Sequence, residues 1–209
     1  MFSTSGSTAT SFVVTLVACA LTGCASAQSP QAIAYPNVSS QRVMPAAAKA
    51  EKIAFGEPTG VPLGYYQLCV DRPNLCQARR GRLPVTHDGS VLASSAAMTQ
   101  LAAVNDDVNA SIHANYSEDW TPGRSVGDCK DFAMTKRQRL IQAGWPSSAV
   151  PVAIVRTRIG EKHLILVART SAGDYVLDNL DSRVAPWTNA SYGWEKIQSP
   201  AGGLDWRSF

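Results

Sequence analysis

Beyond its first residues the chain has no long apolar run. A membrane-spanning helix needs about 18 or more consecutive apolar residues, so none is expected in the mature protein. Histidine is scarce, with three residues at positions 87, 113 and 163, and no CxxC pair occurs. These absences speak against a zinc site of ordinary spacing and against a dithiol redox motif. No basic run carries interleaved aromatic residues, and the formal net charge is only +3. Nucleic acid is therefore not an expected partner. The densest basic stretch, Arg79-Arg80-Gly81-Arg82, reads as a solvated loop. What remains is a chain with 45% hydrophobic and 17% charged residues, the composition of a globular domain rather than a disordered one.

The first 27 residues read as an export signal. Phe12 to Leu21 is apolar but too short to cross a bilayer, as in the hydrophobic region of a signal peptide. The n-region is atypical, since residues 1–11 contain no Lys or Arg. Leu21-Thr22-Gly23-Cys24 resembles a lipobox, which makes Cys24 a candidate lipid anchor. Ala25-Ser26-Ala27 offers the alternative, an ordinary cleavage before Gln28. Residues 28–54, rich in Ala, Ser, Gln and Pro, read as a flexible linker to a folded domain over 55–209. The expected location is the periplasm or cell envelope. In that oxidising setting Cys69 and Cys76, within CVDRPNLC, are expected to close a small disulfide loop, with two independent thiols as the alternative.

Along the domain, a short helix is expected over Tyr65–Val70 and a longer one from Ser94 to Tyr116. The longer one is capped by Ser94 or Ser95, with Leu101, Val104, Val108 and Ile112 on its apolar face. Asn105, Asp106, Asp107 and Asn109 fall mostly on its outer face. A polar loop, SEDWTPGRSVGD, leads to Asp128 as N-cap of a helix that ends at Gly144. The period then changes. Val150–Thr157, His163–Ala168 and Tyr175–Asp178 read as strands of an antiparallel meander with short turns. The last segment, with Trp187, Tyr192, Trp194 and Trp206, reads as aromatic loop packed over the core. Helices first and sheet afterwards make the class α+β, with the cysteine-bearing helix packed on an antiparallel sheet.

Cys129 opens the helix that follows Gly127-Asp128. Unpaired backbone N–H groups and the positive end of the helix dipole favour a thiolate there, and the thiolate is the nucleophilic form. The same N–H groups can hold an oxyanion, and Gly127 allows substrate backbone to approach. His163 starts an apolar strand downstream as candidate base. Asp178 ends the next strand as the candidate orienting acid, with Asn179 and Asp181 as rivals.

Three motifs, GDCKDFA at 127–133, EKHLILVAR at 161–169 and YVLDNLD at 175–181, resemble the bacterial transglutaminase-like cysteine proteinases of the papain-like transglutaminase superfamily. DWTP at 119–122 and CVDRPNLC fit as well, and the likeness spans about residues 55–190. The resemblance implies a Cys129–His163–Asp178 triad that cleaves peptide bonds in a protein or peptide substrate of the cell envelope. Trp120, Gly127, Asp128 and Asn179 then belong to the substrate, oxyanion or supporting set. Acyl transfer to an amine uses the same triad, and a non-catalytic binding module can keep the same fold. The family includes a calcium-dependent periplasmic protease that releases large adhesins and uses acidic residues flanking its nucleophile. Asp128 matches one flank, as a weak calcium ligand at most. Lys130 stands where the other acid is expected, so no metal or other cofactor is expected here.

Overall fold

The computed structural model describes residues 50–209. The expected signal peptide, Cys24 and most of the expected linker lie outside the described residues. The domain opens with β1 (Pro58–Thr59) and α1 (Leu63–Asp71), then α2 (Ser95–Ser111), β2 (His113–Ala114) and β3 (Val126–Gly127). There follow α3 (Cys129–Ala143), β4 (Val152–Arg156), β5 (Lys162–Thr170), β6 (Gly173–Leu177), β7 (Ala185–Pro186), β8 (Gly193–Gln198) and β9 (Trp206–Ser208). One seven-stranded sheet runs β1-β9-β8-β4-β5-β6-β7, with every neighbouring pair antiparallel. The class is α+β with an antiparallel sheet.

β5 shows why the layers form. Its side chains alternate between the two faces of the sheet. Leu164, Leu166 and Ala168 join Met134 and Leu140 of α3, Leu101 of α2 and Tyr65 of α1 in one core. Ile165 and Val167 join Val155, Val176 and Ile197 in a second core on the opposite face, partly covered by Trp187, Tyr192 and Trp194. Both faces are covered, so the strand reads as one unbroken apolar run.

α3 is set at both ends by local chemistry. The Asp128 Oδ1 accepts from the Lys130 N–H at 3.1 Å, and Asp131 Oδ2 accepts from the Asp128 N–H at 3.0 Å, closing a capping box. Gly144 ends the helix with φ 111°, a left-handed conformation suited to glycine. Two long cations of α3 are buried. Arg137 spends its guanidinium on the carbonyls of Val150 and Leu75 at 3.1 and 3.0 Å. Among the described residues the Lys136 amine has no hydrogen-bond partner, and burial pushes it down to about 7 although Asp178 and Asp106 pull it up.

Four expectations need correction. α2 stops at Ser111 instead of running to Tyr116, because Ile112 turns extended and the next residues pair with β3. Asn105 and Asn109 do not face outward. Asn105 is fully buried and donates to the Ser182 carbonyl at 2.7 Å, and Asn109 donates to the Asp178 carbonyl at 2.8 Å. The C-terminal segment is not loop. It supplies β8, which pairs with β4 inside the sheet, and β9, whose Trp206 is buried against Tyr65. Finally, Ala50 and Ile53 of the expected linker are already packed. Ile53 is buried and donates its N–H to Asp174 Oδ2 at 2.8 Å.

Cys69 and Cys76 form the expected disulfide, tying the end of α1 to the turn Pro73–Leu75 across a Cα–Cα distance of 5.5 Å. Among the described cysteines, Cys129 is the free one.

Candidate active site

The site begins with strand register. β6 pairs with β5 from Leu166↔Leu177 to Thr170↔Gly173 and then leaves the ladder. Continued by one step, that register sets Asp178 beside Ile165, which makes it the diagonal neighbour of His163 on the same face. Diagonal neighbours lie within reach of long side chains. His163 Nε2 and Asp178 Oδ1 stand 2.7 Å apart, both nearly buried. Asp178 Oδ1 also accepts the Leu180 N–H at 3.2 Å, and Oδ2 accepts the Tyr192 hydroxyl. The Tyr192 ring lies 5.7 Å from the imidazole. Asn109 of α2 holds the Asp178 backbone carbonyl. The carboxylate is thus fixed from three directions.

The electrostatics follow from this packing. Burial alone would raise the Asp178 carboxyl, but the hydrogen bond and charge of His163, with the Tyr192 hydroxyl and the Leu180 N–H, hold it below its ordinary value. Burial alone would lower the His163 imidazole. Its hydrogen bonds to Asp178 and to the Cys129 sulfur, and the charges of both, raise it to about 9. The Asp178 contact uses Nε2. Burial and then Asp178 also push the Tyr192 phenol well up, so it stays a donor.

Cys129 is the first residue of α3, partly buried against the larger core. Its neighbours anchor the preceding loop. The Asp131 carboxylate, fully buried, accepts the Thr121 N–H at 3.1 Å as well as the Asp128 N–H. Gly127 is needed by this cap, since a Cβ there would collide with the Asp131 side chain. That packing accounts for the glycine without any appeal to substrate. Trp120 packs edge-on to Tyr65 at 5.7 Å, as part of the core. Asn179 is half-buried after Asp178. Asp181 is not beside His163. Its carboxylate is bound to the Arg183 guanidinium at 2.8 and 3.1 Å.

Structure therefore brings His163 and Asp178 together, and Cys129 is near enough to help raise the imidazole. Tyr192, Asn109 and Asp131 belong to this site without having been expected there from the sequence. Asp131 was findable, because Asp at N-cap with Asp three residues on is a capping-box pattern. Tyr192 and Asn109 lie far along the chain, and no local signal marks them.

Calcium has little to hold it. The Lys130 ammonium contacts Asp128 Oδ2 and donates also to the Ser117 carbonyl at 2.9 Å, so a positive charge already occupies this place. Among the described residues no group of three or more Asp, Glu, His or Cys side chains converges to hold a metal ion. The residues present do not fit a calcium site beside the cysteine.

Among solved structures, similar chains include calcium-bound LapG of Legionella pneumophila, with 20% identity and a TM-score of 0.44 over 47% of this chain and 63% of that one. EGTA-treated LapG of the same organism matches with 21% identity and a TM-score of 0.42, over 47% and 61%. This chain thus spans less than two thirds of those proteins. No curated protein matches it significantly. The family model for bacterial transglutaminase-like cysteine proteinases matches residues 55–209, and the chain belongs to that family.

Proposed function

We propose that the protein is an exported cysteine endopeptidase with Cys129 as nucleophile, His163 as acid–base and Asp178 as orienting carboxylate. The observation that carries this reading is the buried Asp178–His163 contact at 2.7 Å through Nε2, with the free thiol of Cys129 at a helix start near enough to help raise the imidazole.

The imidazole takes the Cys129 proton, and the thiolate attacks the scissile carbonyl carbon. A C–S bond forms, and the developing oxyanion is met by backbone N–H groups at the start of α3. The imidazolium returns its proton to the leaving amine as the C–N bond breaks. His163 then deprotonates a water that attacks the thioester, releasing the carboxylic acid and restoring the thiol. Asp178 holds the ring orientation and supports its positive charge throughout, without taking the proton.

The substrate class is a protein or peptide of the cell envelope, and the location is the periplasm or envelope. The apolar leader and the Cys69–Cys76 disulfide support export. Among the described residues no helix is long and apolar enough to cross a membrane. Cys24 is the proposed lipid anchor if the lipobox is used. No calcium is required, a reading supported by Lys130 seated on Asp128.

The test is hydrolysis of a random-sequence peptide mixture by the full chain, read by mass spectrometry of new termini. Wild type should cut and form a trappable thioester, and Cys129→Ser should do neither. Equal cleavage by Cys129→Ser would overturn the assignment.

A further inference from the structure

The loop before Cys129 is tied to α3 at Thr121 by the Asp131 carboxylate, and nearer its start by an ion pair. Ser117 presents both of its backbone groups to the helix start. Its N–H donates to Asp128 Oδ2 at 3.3 Å, and its carbonyl accepts from Lys130 Nζ at 2.9 Å. Lys130 Nζ also contacts Asp128 Oδ2. The Lys130 and Asp128 side chains are mostly shielded, at 18% and 23% exposure. The Tyr116 ring lies 6.0 Å from the ammonium, near the limit for a cation–π contact. A carboxylate oxygen and a peptide carbonyl oxygen thus converge on one positive charge. Hard oxygen donors of this kind are what a calcium ion takes. The two residues of this ion pair are the immediate neighbours of Cys129 on either side.

We infer that the Lys130 ammonium is a covalently tethered counter-cation that does the work of a divalent ion, clamping residues 116–118 to the start of α3 and so positioning Cys129. This rests on Cys129 being the reactive group. A lysine cannot be removed by a chelator, so the clamp is permanent. Its strength depends on one charge meeting two oxygens. Loss of that charge leaves the Asp128 carboxylate and Ser117 carbonyl partly shielded without a cation, and both will recover water by loosening the loop. Lys130 is a positioning residue, and it touches no reacting atom.

The experiment uses the full chain and two readouts that need no turnover, the Tm and the rate of Cys129 alkylation by iodoacetamide. Wild type should show the same Tm and rate in calcium and in chelator. Lys130→Gln should lower the Tm and change the alkylation rate severalfold, equally in calcium and chelator. Lys130→Arg should keep most of both values. Lys130→Glu places a further carboxylate against the same two oxygens. It should be weakest in chelator, and calcium should return it toward wild type. A chelator effect on wild type, Lys130→Gln at wild-type Tm and rate, or Lys130→Glu indifferent to calcium would each overturn the inference. Failure of the peptidase reading appears separately, as peptide cleavage that survives Cys129→Ser.

Discussion

Tyr192 donates its hydroxyl to Asp178 Oδ2, the carboxylate oxygen that His163 does not use. It comes from the loop before β8, far along the chain from β5. Its removal frees one lone pair of a buried carboxylate whose other oxygen orients the imidazole. Tyr192→Phe should lower kcat/KM roughly tenfold, in line with about 1.5 kcal/mol, the lower end for one hydrogen bond to a charged group. The pH profile should shift with it, because the carboxylate it steadies supports the imidazolium. An unchanged profile together with unchanged kcat/KM would count against the role.

The acid that orients His163 is testable against its rival. Asp178→Asn should cost a hundredfold or more in activity, roughly, and Asp181→Asn almost none, because Asp181 is bound to Arg183 on the surface. His163→Ala should cost on the order of a thousandfold, and Asp178→Asn added to it little more, since members of one catalytic unit are not additive. Losses that multiply independently would break the unit apart. Circular dichroism melts of each variant separate folding from chemistry.

Stability should follow pH with a defined sign. The folded His163 imidazole is raised to about 9 from an ordinary 6.5. Its contribution is full below about 6.5 and disappears as pH rises through about 9. Asp178 is held below its ordinary 3.8, so its contribution is present above that value and disappears as pH falls through the lower folded value. Thermal melts across pH should show the alkaline limb in wild type and its absence in His163→Ala. An alkaline limb that persists unchanged in His163→Ala would assign it to another group.

The disulfide closes a short loop on the surface of the domain. Replacing Cys69 and Cys76 together by Ala should cost about 2–3 kcal/mol, mainly by freeing the unfolded chain. Non-reducing peptide maps of the exported protein should contain the linked pair. Two free thiols in that material would refute the bond.

Gly127→Ala tests the cap directly. The new methyl would collide with the Asp131 side chain, so the capping box must open. A loss of about 1–2 kcal/mol is expected, with slower alkylation of Cys129. An unchanged melting temperature would mean that the loop relaxes around the methyl at no cost.

Periodicity and punctuation were sufficient for the local elements. Asp128 and Gly144 mark both ends of α3 in the sequence, and the Val-rich stretches around two short turns mark β4, β5 and β6. The order helix start, strand, next strand also singled out Cys129, His163 and Asp178. Each of these signals lies within a few residues, where capping geometry and side-chain alternation operate. The C-terminal strands left no such signal. β8 and β9 are short, aromatic and separated by Pro200, Gly202 and Gly203, and beyond each other their pairing partners lie far away at β4 and β1. Asn105 and Asn109 read as solvent-facing because their polarity is visible and their distant carbonyl partners are not. The burial of Lys136 and Arg137 is likewise invisible along the chain, since burial of a long cation depends on what surrounds the helix. Which oxygen of Asp178 meets the histidine, that Tyr192 holds the other, and that Lys130 reaches Ser117 are facts of tertiary packing. They depend on distances between residues that only the folded chain brings together.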